Sequence, residues 1–138
     1  MSYDLMVFAP DAAPRAREDF LDWYEAQAEW EEDHGYDDPA VSTPALRAWF
    51  LDMIAAYPPL NGPHAKEELP EDEASATDYS IGKSLVYASF SWSKSEQAYE
   101  DAFRLAAKHG LGFFNASSDL AEVWLPDGKA GLILAHSG

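Results

Sequence analysis

Four consecutive apolar residues near the start of the chain, Leu5 to Phe8, restrict the folds that are open to it. Neighbouring side chains of a β-strand point to opposite sides of the sheet, so an unbroken apolar run is typical of a strand covered on both faces. Residues 2–10 are therefore predicted to form the first strand of a sheet.

The first helix is predicted for residues 14–32, and its two faces contrast. One face carries the aromatic side chains of Phe20, Trp23, Tyr24 and Trp30, and the opposite face carries acids. The aromatic face is expected to pack on the core.

The clearest helix begins after Thr43, which is a good N-cap residue, with Pro44 at the first helical position. Two prolines, Pro58 and Pro59, end it. Its apolar residues follow helical spacing: Leu46, Trp49, Phe50, Met53, Ile54 and Tyr57. Residues 60–78 are polar and acidic, and they are predicted to form a surface loop.

Alternating apolar residues predict strand structure up to Trp92, with a hairpin turn within residues 81–84. Ser93 and Glu96 have the spacing of a capping box, which predicts the start of a third helix. That helix is expected to end near His109, with Gly110 as the residue after its C-cap.

Residues 111–117 are predicted to form a strand, and residues 122–134 a β-hairpin that turns around 126–128. The elements then follow the order β-α-α-β-β-α-β plus the C-terminal β-hairpin. This order predicts one α+β domain over residues 1–138, with a single mixed or antiparallel sheet of the ferredoxin-like type and helices on one face.

The 138 residues include 25 acidic and nine basic side chains, for a formal charge of −16. Such a charge argues against binding to nucleic acid or to an anionic membrane surface, and favours a basic protein partner. There is no cysteine, which excludes disulfides and thiolate chemistry. No signal peptide or membrane-spanning run is recognised, so a cytoplasmic location is expected.

Negative charge is concentrated between Arg17 and Arg47, where no basic residue occurs. Like charges four residues apart weaken a helix, so helix stability alone does not explain the pattern. This acidic segment is either a solvated face or a docking surface for a basic protein. The docking hypothesis assigns the partner-binding role to Glu18, Asp22, Glu25, Glu29, Trp30, Glu32, Asp33, Asp37 and Asp38.

Metal binding by His34 and its acidic neighbours is a weaker alternative, because their spacing is not that of an EF-hand. No metal site and no cofactor are predicted. The segment 81–84 resembles the end of a phosphate-binding loop, but Thr77 stands where that loop needs glycine. No nucleophile motif is found either, and the chain is predicted not to be an enzyme.

The five tryptophans are assigned by position. Trp23, Trp49 and Trp92 are predicted to face the core, whereas Trp30 and Trp124 are candidates for partial exposure. A partly exposed indole beside charged groups is a common anchor of protein interfaces. Trp30 is therefore included in the docking hypothesis.

Three segments carry a resemblance: "SYDLMVF", the helix "TPALRAWFLDMI" with its two-proline stop, and "AAKHGLGFF". Together they resemble a broad group of small acidic bacterial proteins that look like immunity partners of secreted toxins. The resemblance implies a protein that neutralises a basic toxin by covering its surface, and it brings no catalytic residues. The alternatives are a small ferredoxin-like enzyme or ligand-binding domain, and a stand-alone protein whose charge serves only solubility.

Overall fold

The computed structural model describes residues 3–27, 29, 39–59, 76–118, 120–127 and 131–137. Short 3-10 turns at Pro39–Val41 and Trp92–Lys94 precede the second and third helices. The strands and helices, in chain order, are β1 Tyr3–Phe8, α1 Arg17–Gln27, α2 Pro44–Met53, β2 Asp78–Ile81, β3 Leu85–Phe90, α3 Ser95–Lys108, β4 Gly112–Phe114, β5 Val123–Pro126 and β6 Leu132–His136.

The six strands form one sheet in the order β2-β3-β1-β4-β5-β6, and every pair of neighbours is antiparallel. The first four strands have the ferredoxin-like arrangement, with β1 between β3 and β4. β5 and β6 extend this sheet as a hairpin at one side. The predicted α+β class and its antiparallel ferredoxin-like sheet are therefore confirmed.

β1 is covered on both faces, as its apolar run predicts. Leu5 and Val7 belong to the core beneath α2 and α3, whereas Met6 and Phe8 belong to a second core beneath α1. The expectation of helices on one face therefore holds for α2 and α3 but not for α1. The physical reason is that the four consecutive apolar residues give β1 two apolar faces. The second of these faces requires a helix of its own to cover it.

α1 is held on the sheet by aromatic contacts. The ring centroid of Phe20 lies 5.2 Å from that of Phe8 and 5.3 Å from that of Phe114, in tilted and edge-on orientations. Phe8 in turn covers Gly112, where an added Cβ would clash with the ring of Phe8. Glycine at this position makes room for the ring on which α1 packs.

α2 begins as predicted, with the Thr43 hydroxyl accepting a hydrogen bond from the Leu46 amide at 3.3 Å and Pro44 in the first turn. Its buried Trp49 donates an indole hydrogen bond of 3.2 Å to the carbonyl of Ala102 in α3. The two helices are thus linked across the core that they share.

α3 ends as predicted but does not begin so. Gly110 has a φ of +67°. The amides of Gly110 and Leu111 return to the carbonyls of Ala107 and Ala106, which satisfies the last carbonyls of the helix. The predicted capping role of Ser93 is wrong: a 3-10 turn occupies 92–94, and the helix starts at Ser95 without a side-chain cap.

Two further expectations need correction. Trp92 is not a core residue, because β3 ends at Phe90 and the 3-10 turn carries the indole outward, leaving it 48% exposed against the ring of Tyr3.

α1 is shorter than its pattern suggested, with bounds Arg17–Gln27.

Replacing Phe50 by alanine is expected to lower the free energy of unfolding by about 3–5 kcal/mol. The side chain is fully buried in the core beneath α2 and α3 and packs edge-on against Tyr79 at 5.0 Å. Urea denaturation followed by far-ultraviolet circular dichroism measures the change.

Leu51 is the matched control, since it follows Phe50 on the same helix and is 44% exposed. Leu51→Ala is expected to change the unfolding free energy by about 0.5 kcal/mol or less, as for other surface positions. Equal losses for the two variants would contradict this placement of α2.

Candidate functional site

The acidic face of α1 is the part of the predicted docking surface that the structure describes. Glu18, Asp22 and Glu25 lie on the helix and are all exposed, on the side away from the aromatic core. Glu29 is exposed as well, but it lies in a turn beyond the end of the helix. We call these four residues the acidic face.

The remaining predicted docking residues lie outside the described residues, and the structure places none of them. They are Trp30, Glu32, Asp33, Asp37 and Asp38, and His34 of the metal alternative lies with them. The structure therefore describes only four of the nine residues that the docking hypothesis names.

The electrostatic cost of the acidic face is smaller than the sequence pattern suggested. Glu18 lies in the first turn of α1, where a carboxylate is favoured by the helix dipole. Glu18 and Asp22 form the one helical pair of like charges four residues apart within the acidic face, because Glu29 lies beyond the helix. Glu25, in the last turn, is the member that opposes the dipole.

Arg17 is the one cation of α1, and it turns away from the acidic face. Its guanidinium donates hydrogen bonds to the carbonyls of Ala121 and Leu120, at 3.1 and 3.2 Å. It also lies 3.0 Å from Nδ1 of His136 in β6. Within the ranges that the structure describes, no member of the acidic face forms an ion pair with a basic side chain.

The surroundings of His136 favour the neutral form of its ring. Burial lowers the pKa of its imidazole below the ordinary value of 6.5, and the neighbouring Arg17 charge lowers the pKa further. Since Arg17 can only donate, the ring nitrogen facing it is an acceptor. The imidazole also packs edge-on against Phe20, with 5.5 Å between ring centroids.

A second polar cluster joins α2 to the end of α3. Asp52 accepts hydrogen bonds from Nε2 of His109, at 2.7 Å, and from the ammonium of Lys108, at 3.1 Å. The hydrogen bond from His109, followed by that from Lys108, lowers the pKa of the Asp52 carboxyl. The basic end of α3 thus has a partner on the neighbouring helix in addition to its own dipole.

An open cleft of about 480 Å³ lies where β1 meets the start of α3. Its lining includes Tyr3, Tyr99 and the exposed carboxylates of Glu96 and Glu100. The cleft lacks the enclosed, convergent polar groups of a small-molecule site. Among the described residues, no three His, Asp or Glu side chains are grouped so that they would hold a metal ion.

Comparison of the chain with family models, with curated proteins and with solved structures finds no match. Within the described part of the chain, no helix is long and apolar enough to cross a membrane.

The contacts of Arg17 and His136 were not found from the sequence, because 119 positions separate the two residues. The contact between these two residues requires α1 to lie on the same face of the sheet as the side chain of His136 in β6. A helix whose only cation is directed into the hairpin leaves its acids without an internal counter-ion.

Replacing Arg17 by glutamine is expected to raise the pKa of His136 toward its ordinary value, because a neighbouring positive charge is removed. The pKa is measured by nuclear magnetic resonance titration of the imidazole. Arg15→Gln is the matched control: Arg15 is exposed just before α1, and its replacement is expected to leave that pKa unchanged.

A stability measurement tests the same contact independently. A histidine whose pKa is lowered in the fold binds fewer protons than the unfolded chain, so stability falls as the pH drops through 6.5. The Arg17→Gln variant is expected to lose less stability over this window than the wild type. A steeper loss in the variant would show that Arg17 does not act on His136.

Proposed function

We propose that this chain is a protein-binding domain that docks a basic protein on the acidic face of α1. One observation carries the proposal: Glu18, Asp22, Glu25 and Glu29 are all exposed, and the single cation of the helix points elsewhere. A surface of one sign attracts a partner of the other sign and speeds its association.

The way α1 is attached supports this role. The helix is held by Phe20 and its aromatic neighbours, and by the Arg17 contacts at its first turn. None of these contacts uses the acidic face, which therefore remains available to a partner without any rearrangement of the helix. A rigid, preformed surface lowers the entropic cost of binding.

We further propose that the partner is a secreted bacterial toxin and that the chain is its cytoplasmic immunity protein. The support is the resemblance carried by the first strand, the second helix and the segment that ends α3, together with the formal charge of −16. Covering a basic surface neutralises a toxin without chemistry, so the proposed action is binding and not catalysis.

Two alternatives receive less support. A small enzyme or ligand-binding domain would be favoured by an enclosed pocket with convergent polar groups, whereas the cleft beside Tyr3 and Tyr99 is open to solvent. If the charge served solubility alone, there would be no reason for the arginine of α1 to be held away from the acidic face. Charge-neutralising variants on α1 and elsewhere distinguish these two alternatives from docking on the acidic face.

Replacing Asp22 by asparagine and Glu25 by glutamine is expected to leave the fold intact, or to raise its stability by a few tenths of a kcal/mol. The same change is expected to slow association with the basic partner at low salt and to flatten the salt dependence of the rate. Stopped-flow kinetics at two salt concentrations measure both effects. The binding partner in this experiment is the protein that the wild-type chain captures from its native host.

Asp11→Asn with Asp78→Asn is the matched control, because both residues are exposed acids outside α1 and the change in net charge is the same. This control is expected to associate as fast as wild type. If both double variants slow association equally, only net charge matters and the docking surface is not α1.

The toxin hypothesis has its own measurement. The captured protein is expected to stop growth when it is expressed alone in a bacterial host, and co-expression of this chain is expected to restore growth. The Asp22→Asn, Glu25→Gln variant is expected to protect less well than the Asp11→Asn, Asp78→Asn control. A captured basic protein without toxicity would leave the docking surface standing and rule out the immunity role.

A further inference from the structure

An aromatic and acidic cleft lies on the face of the sheet opposite α1. It is the open cleft of about 480 Å³ between β1 and the first turns of α3, and we call it the α3 cleft. Tyr3 and Tyr99 line it together with Glu96 and Glu100, which are neighbours on one face of the helix. Tyr3 packs against the core beneath α2 and α3, which places the cleft on the side of the sheet that these helices cover.

The aromatic rings of the α3 cleft are held in place by packing. The ring of Tyr99 lies edge-on against Phe113 in β4, with 5.3 Å between the ring centroids. The ring of Tyr3 packs against Trp92 at 5.1 Å, and this half-exposed indole extends the aromatic surface beyond the cleft. Aromatic rings attract a cation that is placed over their faces, and the guanidinium of arginine is the commonest such partner.

The helix carboxylates of the α3 cleft bring negative charge without a cation of their own. Glu96 and Glu100 are exposed, and in the part of the chain that the structure describes neither pairs with a basic side chain. Lys94 precedes the helix, but it lines the adjoining cleft and not this one. The positive end of a helix dipole amounts to about half a charge, so the two full negative charges outweigh it.

A third carboxylate acts on both tyrosines. Burial raises the pKa of the Tyr3 and Tyr99 hydroxyls, and the negative charge of Glu122 raises both values further. The oxygens of Glu122 accept hydrogen bonds from the Ser118 hydroxyl, at 2.7 Å, and from the Asn115 amide, at 3.2 Å. Both donors are neutral, so they orient the carboxylate without cancelling its charge.

The Asn115 side chain adds an acceptor that has no donor. Because the Glu122 carboxylate only accepts, the amide nitrogen of Asn115 faces it. The Oδ1 oxygen is buried and receives no hydrogen bond from any described residue, which is rare for a buried polar atom. The Asn115 backbone continues the pairing of β4 with β5, and side chains alternate along a strand, so Asn115 lies on the same face as Phe113. Independently of the carboxylates, this oxygen indicates room for a hydrogen-bond donor on the face where Tyr99 packs.

We propose that the α3 cleft receives an arginine side chain presented by a basic protein. The guanidinium lies against the rings of Tyr3 and Tyr99 and forms ion pairs with Glu96 and Glu100. A guanidinium is planar and carries five donors, so it stacks on aromatic rings and binds carboxylates at the same time. The cleft is open to solvent, which suits a side chain carried by another protein surface better than a free small molecule.

The α3 cleft is separate from the acidic face of α1. The two lie on opposite sides of the sheet, since Tyr3 packs on the core beneath α2 and α3 and Phe20 of α1 belongs to the other core. The inference therefore does not rest on docking at α1. Each surface can be altered while the other stays intact, so a failure of one is distinguishable from a failure of the other.

Titration with a blocked glycine-arginine-glycine peptide, followed by nuclear magnetic resonance of the full chain, tests the proposal. Saturable shifts are expected for the signals of Tyr3, Trp92, Glu96 and Tyr99. The same peptide with neutral citrulline in place of arginine is expected to bind about tenfold more weakly or worse, because it lacks the charge. The lysine peptide is expected to bind more weakly than the arginine peptide, because an ammonium has no planar face to stack.

Variants of the lining residues locate the bound peptide. Glu96→Gln with Glu100→Gln is expected to raise the dissociation constant of the arginine peptide about tenfold, through the loss of two exposed ion pairs. Tyr3→Leu is expected to weaken binding severalfold, whereas Tyr3→Phe keeps the ring and is expected to bind like wild type. Asp11→Asn with Asp78→Asn is the matched control, because it removes two exposed acids elsewhere, and it is expected to leave binding unchanged.

The amide spectrum of each variant shows that it is folded before its binding is interpreted. Equal binding of the citrulline and arginine peptides would overturn the proposal, and a lysine peptide that binds as tightly would overturn the assignment to arginine. The inference also fails if the Glu96, Glu100 variant and the Asp11, Asp78 control weaken binding to the same extent, since only net charge then matters. Shifts confined to α1 would exclude the α3 cleft and leave docking on the acidic face standing.

Discussion

The fold depends on the burial of β1 on both of its faces. Leu5 and Val7 anchor the core that α2 and α3 cover, and Met6 and Phe8 anchor the core that α1 covers. An antiparallel sheet commonly leaves one face to water, but four consecutive apolar residues in its central strand do not permit that here. The position of α1, and with it the orientation of the acidic face, follows from this constraint.

Local signals in the sequence predicted much of the architecture. Thr43 with Pro44 marks the start of α2, and Gly110 marks the end of α3, because capping and left-handed backbone depend on a few adjacent residues. The order of the elements predicted the ferredoxin-like sheet. These features need no knowledge of distant contacts.

Other features depend on information that a local pattern does not contain. The aromatic spacing of α1 shows which side of the helix is apolar, but not which side of the sheet it covers. The alternation that ends in Trp92 continues past the last residue of β3, so it predicted burial for an exposed indole. Of the candidate site, the sequence indicated the exposed acids, whereas the contact of Arg17 with His136 arises only from the fold.

β6 is an exposed apolar outer strand, and its pairing with β5 is interrupted by a register shift between Val123 and Trp124. An exposed strand as apolar as β6 is ordinarily a risk for uncontrolled aggregation. Long-range repulsion between copies with a formal charge of −16 opposes such growth without requiring a charged residue in the strand itself. The chain can therefore keep an apolar strand at the side of its sheet.

The distance in sequence between Arg17 and His136 has a consequence for the order of events during synthesis. α1 leaves the ribosome well before its partners Phe114 and His136 have been made. Contacts between such distant residues form late, because the entropic cost of closing a long loop comes before any stabilising contact is made. The helix that carries the acidic face is thus made before the residues that hold it on the sheet, and until they are made its aromatic side lacks those partners.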